Sequence, residues 1–281
     1  MNVFMSFWSG GSKSCKQNLD MWKLSLALAK KHYENVFLIS DDAGCDLLKD
    51  LPFDLFLNKL NNIPKDLSTI WCLGKIYAYK YACEFNSPFL HLDSDVFLWE
   101  PLPKRLLYSR IFAQSKDIKI FEKNNMAYFD FFKTKRYGYE LPNIWEKLII
   151  KRKINFHPYN VGIFGGFDLQ SIKEYSQFAI EIAENDKNKP LWDIQEISSL
   201  SKSCMVEQGN LAIFCYINNI KVETLYEDLE DKEKKSYKKY THLMLLKNNY
   251  KIKKSIKKRV SQNPYDLIVK NVPIERWHSV D

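Results

Sequence analysis

FLHLDSDVFLWEPLP, residues 89–103, decides how this chain is read. Phe89, Leu90 and Leu92 form an apolar run of strand length. It ends in two acids one residue apart, Asp93 and Asp95, before Val96, Phe97, Leu98 and Trp99 return to apolar character. Two carboxylates at the edge of a sheet repel each other unless a cation or a network of donors sits between them. In an extended backbone residues i and i+2 point to the same side, so both acids are expected to face one ligand. Hard oxygen ligands of this kind suit magnesium or manganese, which keep waters and take further ligands from phosphates. The alternative is two acids on a surface turn or capping a helix.

The sequence before this stretch alternates strand and helix signals. NVFMSF (2–7) is rich in β-formers and is broken by Trp8-Ser9-Gly10-Gly11-Ser12. Leu19, Trp22, Leu26 and Ala29 recur at helical spacing, and NVFLIS (35–40) follows as a second apolar run ending in Asp41-Asp42. GCDLLKDL reads as a short helix, FDLFL as a short strand, and DLSTIWCLGKIYAYKYACEF as a longer helix with Ile70, Leu73, Tyr77 and Tyr81 on one face. Strands separated by helices predict a parallel sheet. Ligands of open α/β sheets bind at the carboxyl ends of strands, which is where Asp93 and Asp95 fall.

Beyond the acids, RIFAQS is a candidate strand, and residues 116–157 are irregular, aromatic and lysine-rich. HPYNVGIFGGF (157–167) holds a strand. DLQSIKEYSQFAIEIAEN is a helix with Ile172, Tyr175, Ala179 and Ile182 on one side. MVEQGNLAIFCYI is helical, and KVETLY and THLMLL are late strands. No internal repeat or long Gly/Ser or Pro-rich linker divides the chain. The expected organisation is a catalytic domain over 1–250, with a nucleotide-binding half (1–115) and an acceptor or sugar half (116–250), followed by a basic helical C-terminal extension over 251–281.

Composition narrows the classes. The 281 residues, 46% hydrophobic and 15% aromatic, are those of a globular chain rather than a disordered one. Cys15, Cys45, Cys72, Cys83, Cys204 and Cys215 show no CxxC spacing, which argues against a zinc site or a disulfide framework. MNVFMSFWSGG turns polar after eight residues and lacks the pattern of a signal peptide, and no apolar run approaches the ~18 residues of a membrane span. A cytoplasmic protein is expected. Between Lys232 and Arg259 twelve Lys or Arg face the single acid Glu233. Such a stretch suits anionic surfaces or phosphorylated ligands, or is simply a solvated helix; no nucleic-acid-binding signature accompanies it.

SPFLHLDSDVFLWEPL resembles the metal-binding segment of nucleotide-sugar glycosyltransferases of the GT-A fold, in their glycogenin-like and capsular-polysaccharide branches. FWS near the start, then WCLGKIYAY, then PFLHLDSDVFLW also resembles a group of uncharacterised bacterial GT-A-like proteins. The similarity covers roughly residues 2–250, and its specific element is the acid triplet. It implies a Rossmann-like mixed sheet flanked by helices and a divalent metal, Mn or Mg. Asp95 would be the principal metal ligand, and Asp93 would contact the metal, the ribose or both.

Further stretches enter through the same resemblance. Asn160-Val161-Gly162 resembles the Asn-x-Gly that lines the sugar pocket, or is a turn entering a strand. Glu207-Gln208-Gly209-Asn210-Leu211 resembles an Asp-Gln-Asp segment near the donor sugar, with Glu for the first Asp and Gly for the last; Glu207 and Gln208 are the catalytic candidates. His242 stands where such enzymes place a third metal ligand, with a core histidine as the rival reading. Lys247 is expected on the diphosphate, although Leu245 and Leu246 stand where the family pattern has glycine and a wider gap. For the nucleotide, Trp8 and Ser9 are expected to meet the base, Asp41 to accept from base or ribose, and Lys75 to reach the nucleotide or a phosphate.

The expected activity is metal-dependent transfer of a sugar from a nucleoside diphosphate donor, a UDP-sugar foremost, to an acceptor hydroxyl in bacterial surface-polysaccharide or glycoconjugate synthesis. The acceptor is expected to be a glycan or lipid-linked, with the basic segment touching the inner membrane surface. Two alternatives stand beside it. One is a sugar-phosphate nucleotidyltransferase, for which SGGSKSCK (9–16) is a partial match; the other is a non-catalytic binding protein with the same fold.

Overall fold

The computed structural model describes residues 1–11, 19–116, 140–150, 157–226, 239–243 and 254–258. The apolar runs form the sheet. β1 (Asn2–Phe7), β2 (Val36–Ser40), β3 (Leu55–Asn58), β4 (Phe89–Leu92), β6 (Ile111–Lys116), β7 (Tyr159–Gly166) and β8 (Val222–Tyr226) are ordered β3-β2-β1-β4-β7-β6-β8. From β3 to β4 all pairings are parallel; β7 is antiparallel to both its neighbours, and β6 pairs with β8 in parallel. The result is a mixed α/β sheet of Rossmann-like type. A separate two-stranded ribbon joins β5 (Val96–Leu98) to β9 (Tyr240–His242).

Alternating side chains divide the sheet's two faces. Val3, Met5, Val36, Leu38, Leu90 and Leu92 pack with Trp22, Leu26 and Ala29 of helix α1 (Leu19–His32). Phe4, Ile39, Phe89 and Phe164 pack on the other face with Ile76 and Tyr79 of helix α3 (Leu73–Ala82) and with Ile172, Tyr175, Ala179 and Ile182 of helix α4 (Leu169–Glu184). Helix α2 (Asp42–Leu48) links β2 to β3. Helix α5 (Ser199–Cys204), a π-helical turn over Met205–Gly209 and helix α6 (Asn210–Ile217) run on without a break.

Several expectations need adjusting. The long helix before β4 starts at Leu73 rather than Asp66, because Leu67 and Ile70 bury themselves in separate turns; Lys65–Leu67 is a 3₁₀ turn. Its deep face carries Lys75, Ile76, Tyr79 and Ala82, with Tyr77 and Tyr81 only half-buried. Within 116–157, residues 143–150 are helical. The late strand is described as far as His242, and the rest of THLMLL from 244 lies outside the described residues. Of the basic extension, residues 254–258 are helical, and Ile256 is buried with Met21, Leu24 and Leu28 of α1. Among the described residues no helix is long and apolar enough to cross a membrane.

Candidate functional site

β4 delivers the two acids to its carboxyl end, in a turn rather than an extended run. The Val96 N–H donates to the Asp93 carbonyl at 3.0 Å, so the chain leaves the sheet at once to form β5. The buried Ser25 hydroxyl of α1 fixes the turn by donating to the Val96 carbonyl at 2.7 Å. The two carboxylates are therefore gathered by a turn, not by strand alternation.

β5 then brings in a third group. Its pairing with β9 sets Val96 opposite His242, and the Leu243 N–H donates to the Asp95 carbonyl at 3.1 Å. His242 Nε2 lies 3.5 Å from Asp95 Oδ1 and 4.0 Å from Asp93 Oδ2. Asp93, Asp95 and His242 each offer a ligand atom, all within 4.8 Å of one another, so the group could hold a metal ion.

The opposite ring nitrogen tests that reading. His242 Nδ1 is 2.8 Å from Gln114 Oε1. An amide oxygen only accepts, so Nδ1 carries the proton, and in the neutral ring Nε2 turns its lone pair toward the carboxylates. A lone pair facing two carboxylates calls for a cation between them. An imidazole whose second nitrogen is held by an outer amide or carboxyl group is the usual posture of a metal-ligating histidine. Gly162 leaves room for the ring, since a Cβ there would strike both the imidazole and Gln114. Two carboxylates and an imidazole nitrogen suit a manganese or magnesium shell; the residues present fit the ion.

Gln114 reaches His242 through an irregularity. The β6–β7 register shifts between Ala113 and Ser115, where β7 takes Val161, Gly162 and Ile163 past Gln114. Bulges of this kind re-aim side chains beside sites. Asn160, at the far side of the shift, is buried and accepts from the Gly162 N–H at 3.1 Å, bracing the segment that seats the histidine.

The other side of Asp93 faces a buried ionic cluster. Lys75 Nζ lies 2.7 Å from Asp93 Oδ1 and 3.2 Å from Glu207 Oε1. The Tyr79 hydroxyl donates to the same Glu207 oxygen at 3.1 Å, and Tyr175 donates to the Glu207 backbone carbonyl at 2.9 Å. Burial alone would lower the Lys75 amine, but the Asp93 and Glu207 charges outweigh it and hold the amine above its ordinary value. Glu207 is 1% exposed. Burial pushes its carboxyl up, Lys75 draws it down and Asp93 pushes it up again, to about 7. It sits in the π-helical turn between α5 and α6, the kind of insertion often found at functional sites. Gln208, next in that turn, is half-buried.

Below the acids, His91 shares their strand. Its Nε2 lies 2.9 Å from Ser6 Oγ, and burial, then the Lys75 charge, hold its pKa well below the ordinary value, so the ring is neutral.

At the ends of β1 and β2 the expected nucleotide residues bind one another. Asp41 Oδ2 accepts from the Ser9 N–H at 2.9 Å and the Ser9 hydroxyl at 2.5 Å, while Oδ1 accepts from the Gly44 N–H at 2.9 Å and caps α2. Trp8 is 6% exposed and packs beneath Gly10 and against Gly74. Lys75 is engaged by the two carboxylates rather than turned to solvent. Lys247 lies outside the described residues.

Gln114, Ser25 and Tyr79 were not read as site residues from the sequence. Gln114 carries the one available signal, a polar side chain inside the apolar strand IFAQS. Ser25 and Tyr79 are indistinguishable from ordinary helix residues until the helices are packed.

The chain matches the model of a family of unknown function, DUF6734, over residues 1–273, and it belongs to that family. No curated protein matches it.

Proposed function

We propose that this chain is a metal-dependent glycosyltransferase, moving a sugar from a nucleoside diphosphate donor to an acceptor hydroxyl. The observation that carries the reading is the meeting of Asp93, Asp95 and His242 at the carboxyl end of a central parallel strand, with buried Glu207 joined to Asp93 through Lys75. The mixed sheet and the acid turn are compatible with the GT-A resemblance.

Asp93, Asp95 and His242 would hold a divalent ion, which would supply positive charge opposite a departing diphosphate. The protein's own groups do the rest. Lys75 holds Asp93 by Oδ1 and leaves Oδ2 facing His242. Gln114 fixes the imidazole tautomer. Glu207, raised to about 7 and oriented by Tyr79 and Lys75, is a carboxyl able to hold or release a proton near neutrality beside the sugar. Gln208 stands beside it for hydrogen bonding to sugar hydroxyls. The basic stretch from Lys232 to Arg259 suits a lipid-linked acceptor at an anionic membrane surface, where each lysine adds ~1 kcal/mol.

The test is a thermal-shift screen of nucleotide sugars with and without manganese, on the wild type and on Asp95→Ala. A donor that raises the melting temperature only with manganese, and only in the wild type, supports the reading. Release of nucleoside diphosphate from that donor marks sugar transfer, and release of pyrophosphate marks nucleotidyl transfer instead. A wild type indifferent to every donor and to manganese overturns the proposal.

A further inference from the structure

We propose that Ile256, on the short basic helix of residues 254–258, is a positioning residue for His242: by packing on the outer face of the β5–β9 ribbon it keeps the imidazole beside Asp93 and Asp95; this rests on the three-ligand reading of the acid turn and names what holds the third ligand in place. His242 is the member of the trio that does not come from the turn after β4. Its strand pairs three residues with β5 and stands apart from the large sheet. A two-stranded ribbon is at best marginally stable without further packing, whereas a working site needs its side chains held within about 0.5 Å. What packs on the ribbon therefore sets the ring.

The ribbon has two faces, because successive side chains alternate. Val96, Leu98 and Tyr240 join the cluster shared with the large sheet, and His242 lies opposite Val96 on that side. Phe97 and Leu243 turn the other way and pack in one cluster with Met21, Leu24 and Leu28 of α1 and with Ile256. Leu243 follows His242 directly, and its N–H donates to the Asp95 carbonyl at 3.1 Å. One residue of this cluster is thus joined to two members of the trio, by its own backbone and by a hydrogen bond. The far end of β9 is tied differently: the Tyr240 hydroxyl donates to the Pro101 carbonyl at 2.8 Å, and Trp99 Nε1 donates to Thr241 Oγ1 at 3.0 Å. The His242 end is held by the Gln114 contact, the Asp95 carbonyl and the apolar cluster. Ile256 is 1% exposed, while Lys254, Lys257 and Lys258 face solvent. It is the sole apolar residue of KKSIKKR (253–259). So short a helix has little stability of its own, and burial of its single apolar side chain is what docks it.

The test titrates manganese chloride into the full chain by calorimetry. Ile256→Asp puts a carboxylate where the isoleucine is buried and should weaken manganese about 10- to 100-fold, the loss expected when the support of a metal-ligating histidine is disturbed. Ile256→Val should stay within about threefold of the wild type. A merely structural role would weaken the ion whatever the ligand set, so the titration is repeated on His242→Ala; there, adding Ile256→Asp should change affinity by less than about twofold. Hydrogen exchange reads the same link in the wild type, because coupling is reciprocal: manganese should slow exchange across residues 254–258 by about 5-fold or more, and should not do so in His242→Ala. That measurement decides the matter if Ile256→Asp does not fold. Unchanged manganese affinity in Ile256→Asp, an equal loss in the His242→Ala background, or exchange across 254–258 indifferent to manganese overturns the role of Ile256 and leaves the metal site standing. A wild type that binds no manganese overturns that role and the metal reading together.

Discussion

Two strands end in acids at the same edge of the sheet, and their surroundings differ in kind. Asp41, after β2, receives two donors from Ser9 and one from Gly44, all from its own protein. Asp93 and Asp95, after β4, face Nε2 of His242 on one side, and Asp93 leans on a shared lysine on the other. The first is a clasp that completes itself, and the second is a half-shell arranged around positive charge. Position at the carboxyl edge does not separate them. What donates to each oxygen does.

The sharpest way to break this contrast is to take away the internal cation. Lys75→Met leaves buried Glu207 and half-buried Asp93 with no ammonium between them, and removing one partner of a buried ionic group costs about 3–5 kcal/mol. Urea unfolding at pH 8 should show that loss. A change below about 1 kcal/mol, the level of an exposed pair, would mean that the cluster is solvated and the contrast with Asp41 false.

Next in size is the effect of pH on Glu207. Its carboxyl is raised from 4.5 in the unfolded chain to about 7 in the fold. The stability tied to the protonated form is fully present below pH 4.5 and is lost as pH rises through about 7. Glu207→Gln removes that dependence. The metal-free wild type should therefore fall behind the variant by about 3 kcal/mol between pH 4.5 and pH 8, at about 1.36 kcal/mol per pKa unit. Parallel stability curves across that range would show Glu207 ionised throughout.

The fold was legible where its signal is local. Period-two and helical spacing located β1, α1, β2, β4, β7 and α4, and the acid triplet at the end of β4 marked the site. The rest depended on long-range packing. Spacing assigned Ile70, Leu73, Tyr77 and Tyr81 to one face of α3, yet Lys75 and Tyr79 turn inward because Glu207, on the turn after α5, receives both of them. A polar cluster of this kind is invisible to a hydrophobic period. Asp93 and Asp95 were read as extended, because nothing in LDSDV announces that the chain must leave the sheet to meet β9 far along the sequence. Trp8 and Asp41 fell at the expected edge, but sequence could not tell that they are consumed by Gly74, Ser9 and Gly44.

Gly162 offers a subtler probe of the half-shell. Alanine there would place its methyl against the His242 ring and against Gln114. Disturbing an outer partner of a metal-bound histidine lowers affinity about 10- to 100-fold, and Gly162→Ala should weaken manganese binding by that factor in calorimetry. Unchanged affinity would remove His242 from the ligand set and leave two acids alone.

The smallest effect is expected at the clasp. Asp41→Ala deprives Gly44 of its helix cap and Ser9 of its acceptor, and loss of an N-cap costs about 0.5–2 kcal/mol. The melting temperature should drop while manganese affinity stays that of the wild type, because none of the Asp41 contacts described reaches Asp93, Asp95 or His242. If Asp41→Ala instead weakens manganese as Asp95→Ala does, the two strand ends form one site. An acid satisfied by three protein donors would then still be able to serve a ligand, and donor accounting would lose its power to tell structural carboxylates from functional ones.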